Sequence, residues 1–197
     1  MLTLSDIGDL QWLDHTGEAT LDGDRLVLRA GPRTDWFSDP CGATRLTSAP
    51  ALVREVTEDF MLSARVTPEL AETYDAGVLF LHQNEDSWAK LCLERSPTGR
   101  PTIVSVVTRG LSDDCNGPSY DIEAVWLRIA RLGDAYAFHH SLDGETWELT
   151  RLFTLADPES TTRVGFLAQT PLGAESTTVF DAIRYRAGTL VDVRSGI

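Results

Sequence analysis

Short stretches in which apolar and polar residues alternate recur along the whole chain, and each is bounded by turn-forming residues. Residues 25–29 follow an Asp-Gly-Asp turn, and residues 60–66 end just before Pro68. Further stretches of this kind lie at 77–82, 89–94, 102–108, 125–131, 135–142, 147–153, 163–169 and 177–186. Many short segments rich in Val, Leu, Thr and aromatic residues are typical of a β-sandwich or barrel. The sequence therefore predicts an all-β protein.

Signals for helices and for domain boundaries are sparse. Only residues 71–73 and 118–122 could hold a single helical turn. No Gly- or Ser-rich linker and no repeat of 20–50 residues divides the 197 residues. Because β-sandwiches often occupy this length as one unit, we expect a single domain over residues 1–197.

Two turns predict how the third quarter of the chain pairs. Asp143-Gly144 lies between alternating segments, and this dipeptide favours the type I′ turn, which needs positive φ. Gly133-Asp134 is a second, shorter turn signal. Together they predict an antiparallel meander from about Val125 to Phe153.

The charge balance excludes two classes of partner. Lys and Arg total 17 against 30 Asp and Glu, which gives a formal net charge of −13. Binding to nucleic acid needs a basic stripe that releases counterions, and the sequence has no run of basic residues. We expect neither a nucleic-acid nor an anionic-membrane partner.

The termini and the cysteines bear on the compartment. Aspartates interrupt the first 14 residues, so no apolar stretch there suits a signal peptide, and no window approaches a membrane span. The three cysteines, Cys41, Cys92 and Cys115, form no C-x-x-C pair. An odd number of unpatterned cysteines favours free thiols in a reducing compartment, and we expect a cytoplasmic protein.

The segment DSWAKLCLE, residues 86–94, has two unlike faces when read with a period of two. One face is apolar, and the other carries Trp88, Lys90, Cys92 and Glu94. A strand that is buried on one side has no packing need for a Lys and a Glu on the other, so we predict that they line a pocket. If that face is open, Lys90→Ala should destabilise the protein far less than Leu91→Ala.

The same face predicts a ligand site. An aromatic ring beside hydrogen-bonding groups suits a sugar, whose apolar face stacks while its hydroxyls form hydrogen bonds. We expect Trp36 to act as a lid. The candidate ligand-binding residues are Asp35, Trp36, Tyr74, Asp75, Trp88, Lys90, Glu94, Thr108, Ser112 and Asp113.

Other chemistry has little support. His139 and His140 are adjacent on a predicted strand and point to opposite faces, and no metal-binding spacing of Cys or His occurs. No nucleophile elbow, P-loop or dinucleotide fingerprint is present. A glycosidase needs two nearby carboxyl groups, and no predicted strand carries an acidic pair on one face. We therefore predict no metal and no cofactor.

Several spaced blocks resemble the DUF1349 family. They are TDWF (34–37), DF (59–60), YDAGVL (74–79), WAKLCLE (88–94), SVVTRGLSD (105–113), WLRIAR (126–131), SLDGETW (141–147) and VGFLAQTP (164–171). The resemblance spans about residues 10 to 186 and implies a concanavalin A-like jelly-roll β-sandwich of two curved antiparallel sheets. It implies that the WAKLCLE strand faces the concave side. The family often has Trp after the Ser-Asp of the SVVT block, where this chain has Asp114-Cys115.

The resemblance implies no established catalytic activity, because the biochemical role of the family is largely undefined. One branch of it is described as regulation-of-enolase proteins. We expect a non-catalytic domain that binds a carbohydrate or small polar ligand on its concave face. A glycosidase-like hydrolase using Glu94 is one alternative, and a regulatory domain that interacts with metabolic enzymes is another. A protein partner or a homo-oligomer is left open.

Overall fold

Strands form all of the regular secondary structure in the computed structural model, which describes residues 2–4, 7–42, 44–157 and 160–197. In chain order they are β1 (Leu2–Leu4), β2 (Gly8–Trp12), β3 (Glu18–Asp22), β4 (Arg25–Ala30), β5 (Trp36–Ser38), β6 (Arg45–Thr47), β7 (Ala51–Val56), β8 (Phe60–Pro68), β9 (Ala76–Asn84), β10 (Ser87–Arg95), β11 (Pro101–Arg109), β12 (Leu111–Ser119), β13 (Val125–Leu132), β14 (Ala135–Ser141), β15 (Glu148–Thr154), β16 (Thr162–Gln169) and β17 (Ser176–Ala187). The described part of the chain contains no helix that could cross a membrane.

The strands form two large antiparallel sheets and one small one. The eight-stranded sheet has the order β1-β2-β7-β16-β9-β10-β11-β12, and the seven-stranded sheet has the order β15-β14-β13-β8-β17-β4-β3. Strands β5 and β6 pair only with each other. The predicted all-β fold, a sandwich of two curved antiparallel sheets, is confirmed.

The last two strands complete both large sheets. Strand β16 lies between β7 and β9, and β17 lies between β8 and β4. Each therefore joins strands that come much earlier in the sequence. Thr162 pairs with Val56, and Phe180 pairs with both Leu26 and Val66.

The main core lies between the two sheets. Strand β10 contributes Ala89, Leu91 and Leu93, which are fully buried there, as the alternation in the sequence predicts. Burial of a leucine side chain contributes about 1.5–3 kcal/mol, so this row anchors β10 firmly. A second apolar cluster, which includes Trp36 and Trp88, covers the opposite, outer face of the eight-stranded sheet.

The predicted meander is confirmed, but the turn at Asp143-Gly144 differs from the expected type. Strands β13, β14 and β15 are neighbours in order. Gly144 has φ of +79°, whereas Asp143 is not among the residues with positive φ, so no type I′ turn forms. Instead, the Asp143 carboxylate accepts hydrogen bonds from the backbone N–H groups of Glu145 and Thr146, and the connection is longer. Aspartate commonly organises a turn in this way.

The two predicted helical turns are wrong. Residues 72–74 form a bend and a turn, and Pro118 lies within β12. Strand β12 reverses direction from β11 at Gly110, whose φ of +81° suits glycine. Polar residues dominate β12, so its sequence lacks the apolar alternation that indicates a strand.

Candidate ligand-binding site

The outer face of β10 places Lys90 and Glu94 on the same side of the eight-stranded sheet. Lys90 lies between Phe80 of β9 and Val106 of β11, and Glu94 lies between Ala76 and Thr102. This follows from the burial of the alternate residues of β10 in the main core, because successive side chains of a strand point to opposite faces.

Lys90 is the centre of a buried polar network. Its Nζ donates hydrogen bonds of 2.9 Å to Asp35 Oδ1 and of 2.9 Å to Gln169 Oε1. The amide of Gln169 in turn donates to the backbone carbonyl of Tyr74. Burial disfavours the charged ammonium, but the negative charges around it, led by Asp35, raise the pKa of Lys90 to about 12. Lys90 is only 3% exposed, so the condition of an open face, under which Lys90→Ala would destabilise the protein little, is not met at this side chain.

Glu94 differs from Lys90 in having no internal partner. It is buried, and its carboxyl group makes no hydrogen bond to any residue that the structure describes. Burial raises the pKa of Glu94 to about 8, although the charge of Lys90 works in the opposite direction. At neutral pH the group is therefore mainly protonated, and it can both donate and accept a hydrogen bond.

Asp114 is a second carboxyl group on this face. The residue as a whole is exposed, but partial desolvation of its carboxyl group raises its pKa, and the charge of Lys90 opposes this shift. The residue is not among the predicted site residues, because polar residues occupy nearly every position of β12 and no alternation marks one face of it. Ser112 is buried under the β5 strand, while Asp114 and Asn116 border a cavity.

The cavity has a volume of about 390 Å³ and is here called the Lys90 cavity. Its walls combine charged and amide groups with an apolar surface. The lining residues are Asp35, Phe37, Tyr74, Lys90, Glu94, Pro97, Val104, Val106, Asp114, Asn116 and Gln169. Cavities that hold small molecules have volumes of about 300–1,000 Å³ and a similar mixture of apolar walls and a few polar groups.

Tyr74 forms an exposed aromatic edge of the Lys90 cavity. Its side chain is 39% exposed, and its backbone has φ of +70°, a left-handed conformation that is uncommon for a bulky residue. The backbone is held there because Tyr74 N–H donates to the carbonyl of Arg95 and its own carbonyl accepts from Gln169. Backbone strain of this kind clusters at functional sites.

Four of the ten predicted site residues line the Lys90 cavity: Asp35, Tyr74, Lys90 and Glu94. The two tryptophans do not. Trp36 is 1% exposed, donates its indole N–H to the carbonyl of Ala49, and packs edge-on against Trp88 with 5.5 Å between ring centroids. Trp36 is therefore part of the packing beneath β5 and not a lid over the cavity.

The other four predicted residues also lie outside the lining. Asp75 accepts hydrogen bonds from the Thr170 hydroxyl and from the Glu72 N–H, so it organises a turn. The hydroxyl groups of Thr108 and Ser112 form a hydrogen bond with each other. Ser112 also accepts a hydrogen bond from the backbone N–H of Ser38, and this contact links β5 to the sheet. Asp113, on the edge strand β12, pairs at 2.7 Å with Arg151 of β15 in the other large sheet.

No metal centre accompanies the cavity. Over residues 2–4, 7–42, 44–157 and 160–197, no group of three or more His, Cys, Asp or Glu side chains is arranged to hold a metal ion. All three cysteines are free thiols, and Cys92 is buried beside Lys90 as a packing residue. Burial raises the pKa of the Cys92 thiol well above its usual value, which keeps it unreactive.

Two packed antiparallel sheets, with a polar cavity on the outer face of the larger one, define a concanavalin A-like β-sandwich protein. The chain belongs to the DUF1349 family of proteins of unknown function, whose family model matches residues 12–187. The predicted family is therefore confirmed. A comparison with curated proteins finds no match.

Solved structures share this fold. A functionally unknown protein from Saccharomyces cerevisiae is 23% identical, with a TM-score of 0.83 over 92% of this chain and 97% of that one. A xylan β-1,4-xylosidase from Bacillus halodurans is 16% identical, with a TM-score of 0.63 over 84% of this chain and 33% of that one. An alginate lyase from Klebsiella pneumoniae is 12% identical, with a TM-score of 0.57 over 86% and 84% of the two chains. At these identities the likeness establishes the fold alone.

Proposed function

We propose that the protein is a binding module for a neutral, polyhydroxylated small molecule, most simply a carbohydrate, which occupies the Lys90 cavity. The observation that carries this proposal is the buried carboxyl group of Glu94, which makes no hydrogen bond to any described residue and lies with the more exposed Asp114 in a cavity whose only lysine is already paired with Asp35. A protonated Glu94 offers both a donor and an acceptor, which matches a hydroxyl group. An anionic ligand would meet the charges of Asp35 and Asp114 and is disfavoured.

The apolar part of the cavity supports the same ligand class. Tyr74 offers an exposed ring at its edge, and Phe37 lies on its wall. Stacking of an apolar sugar face on such a ring would add affinity, and the surrounding amides of Asn116 and Gln169 would supply planar hydrogen-bonding groups.

The proposal is tested by titrating neutral mono- and oligosaccharides against the protein with ligand-observed NMR and calorimetry. Tyr74→Ala removes only an exposed ring, and we expect it to weaken binding by about three- to tenfold, the size of one aromatic contact. Leu111→Ala is the matched control, because Leu111 is a large exposed apolar residue outside the cavity. An absence of binding by every sugar, or an equal effect of the two variants, would contradict the proposal.

A second candidate function, glycoside hydrolysis, is favoured by the raised pKa of Glu94, since a general acid must hold its proton at the working pH. The placement of the other carboxyl groups of the lining favours binding instead. Asp35 is already paired with Lys90. Asp114 lies two strands and four residues from Glu94, about 16 Å between backbones by ideal sheet spacings, so both side chains would have to lean along the sheet to bring their carboxyl groups to the roughly 5–9.5 Å that a glycosidase needs. Release of nitrophenol from aryl glycosides, abolished by Glu94→Gln, would establish hydrolysis.

A further inference from the structure

The outer face of the seven-stranded sheet carries a second cavity, here called the Arg128 cavity, with a volume of about 400 Å³. Strands β8, β13 and β17 form its floor, and the loop after β14 forms one wall. The lining residues are Met61, Ser63, Trp126, Arg128, Asp143, Gly144, Glu145, Trp147, Ala182, Arg184 and Arg186. It lies on the sheet opposite to the one that bears the Lys90 cavity, and nothing in the preceding proposal involves it.

Arg128 is a buried cation without an anionic partner. It is 7% exposed, and among the described residues no carboxylate oxygen lies within 4.0 Å of its nitrogen atoms. Its Nη2 donates to the carbonyl of Gly196, its Nε is buried without any hydrogen-bond partner, and its guanidinium lies 4.1 Å from the ring centroid of Trp147. Burial lowers the pKa of Arg128 to about 10. A buried charge normally has a counter-charge, because isolating it from water is costly.

The neighbouring arginines show that this face can supply a counter-ion where one is needed. Arg65 forms a bidentate ion pair with Asp181, with N–O distances of 2.6 and 2.7 Å. By contrast, neither Arg184 nor Arg186 has an acidic partner within 4.0 Å among the described residues. Three guanidinium groups without a carboxylate partner therefore border one cavity in a protein whose net charge is −13.

The strand register places two of these cations on either side of a small residue. Ser63 of β8 pairs with Arg128 of β13 on one side and with Arg184 of β17 on the other. Two adjacent strand spacings separate the two arginine backbones by about 10 Å. The short Ser63 side chain between them leaves room for a group that both guanidiniums and the serine hydroxyl could bind.

The backbone of β17 is irregular at this point. A bulge interrupts its pairing with β8 between Asp181 and Arg184, and Ala182 in the bulge has φ of +46°. Bulges re-aim side chains and are frequent beside functional sites, and positive φ is unfavourable for alanine. Because of this bulge, Arg184 lies opposite Ser63, in place of the residue that precedes it in the sequence.

The acidic residues on the lining make no ion pair with these cations, since no carboxylate oxygen of Asp143 or Glu145 lies within 4.0 Å of an arginine nitrogen. The Asp143 carboxylate already accepts hydrogen bonds from the N–H groups of Thr146 and Glu145 and from the Ser141 hydroxyl, which hold its pKa well below the usual range. Glu145 is exposed to solvent. The half-buried rings of Trp126 and Trp147 add flat apolar surfaces to the wall.

We propose that the Arg128 cavity is a second binding site, for a small molecule that carries a carboxylate or phosphate group on an apolar ring. The oxyanion lies between Arg128 and Arg184 above Ser63, where paired guanidinium groups bind such planar or tetrahedral acceptors well. The ring packs on the tryptophan surfaces. Arg186 adds a long-range attraction at the mouth.

The test uses phenyl phosphate and benzoate as probes. Their binding to the protein is measured by calorimetry and ligand-observed NMR at low ionic strength. Inorganic phosphate and acetate lack the ring, and benzyl alcohol lacks the charge. We expect both ring-bearing anions to bind, the ring-less anions to bind at least about threefold more weakly, and benzyl alcohol not to bind. The relative affinities of phenyl phosphate and benzoate distinguish a phosphate site from a carboxylate site.

Variants locate the binding. Arg184→Ala/Arg186→Ala changes only exposed residues, and we expect it to weaken phenyl phosphate binding about tenfold or more, the loss of a charge-assisted hydrogen bond. Arg25→Ala/Arg29→Ala removes the same charge from β4 of the same sheet, outside the cavity, and is expected to change binding less than about twofold. Asp114→Asn, in the Lys90 cavity, should have no effect.

Three results would overturn the proposal. They are no binding of either ring-bearing anion up to about 10 mM, equal weakening by the two double variants, and undiminished binding in Arg184→Ala/Arg186→Ala. The first shows that the cavity takes no such anion. The second shows that only the overall charge matters, and the third places the binding elsewhere.

Discussion

Lys90 and Arg128 are both buried cations on outer faces of the sandwich, but the protein treats them differently. Lys90 has a carboxylate and an amide oxygen at 2.9 Å, and its pKa is raised. Arg128 has one backbone carbonyl and a tryptophan ring, and its pKa is lowered. Lys90 is part of the fold's own hydrogen-bonding network, so we expect a ligand in its cavity to contact mainly the groups around it. Arg128 has a buried Nε without a hydrogen-bond partner, so we expect a ligand to bind the guanidinium group itself.

The largest expected effect comes from removing the partner of Lys90. Asp35→Asn keeps an acceptor for the backbone N–H of Trp36 but leaves the buried ammonium of Lys90 without its ion-pair partner. We expect a loss of about 3–5 kcal/mol in the free energy of unfolding, measured by chemical denaturation.

Two further variants make this result specific. Asp181→Asn breaks the more exposed pair with Arg65 and should cost about 1 kcal/mol or less. The double variant Asp35→Asn/Lys90→Met should recover part of the loss, because it removes the unpaired charge as well. Equal losses for Asp35→Asn and Asp181→Asn would show that burial does not set the two pairs apart.

A pH effect of intermediate size is expected from Glu94. Its pKa is about 8 in the folded protein against an ordinary value of 4.5. Between these pH values the folded protein holds a proton that the unfolded chain has released, so stability falls as pH rises through this window. Glu94→Gln should remove this trend, with a difference on the order of 3 kcal/mol between pH 5 and pH 8.

Denaturation curves at several pH values measure this difference. Glu123→Gln, which alters an exposed carboxyl group outside the cavity, is the control and should follow the original protein. Parallel pH profiles for Glu94→Gln and the original protein would mean that Glu94 ionises normally.

The smallest effect is expected at Arg128. Arg128→Met keeps the apolar length of the side chain and removes a charge that has no internal counter-ion. The lost stacking on Trp147 and the lost hydrogen bond to the Gly196 carbonyl oppose the relieved desolvation, so we expect the free energy of unfolding to change by about 1 kcal/mol or less. A loss as large as that of Asp35→Asn would show that Arg128 is a structural residue and remove the contrast with Lys90.

The sequence predicts the fold and the inner face of β10 well because both depend on alternation. Leu91 and Leu93 are buried in the core for the reason that their spacing indicates. The site is predicted only in part. Asp35 and Lys90 meet although they are 55 residues apart, and their pairing depends on how the segment before β5 crosses the sheet. Local patterns carry no information on that crossing.

Three other residues show the same limit of what the sequence can predict about the site. Trp36 and Trp88 look like stacking platforms in the sequence, but their rings bury each other. The sequence does not indicate Asp114, because β12 has few apolar residues and is held in the sheet mainly by its backbone pairing with β11. Side-chain chemistry identifies candidates, whereas the tertiary arrangement decides which of them share a cavity.

The position of β16 and β17 within the two sheets has a consequence for how the protein is made on the ribosome. Until residues 162–187 are synthesised, β7 and β9 lack the strand that joins them, and so do β4 and β8. The nascent chain then presents unpaired strand edges, which invite aggregation. Pairings between such distant segments also slow folding, typically to milliseconds or seconds. We therefore expect insertion of these two strands to be the slow step and chaperones to bind the chain before it.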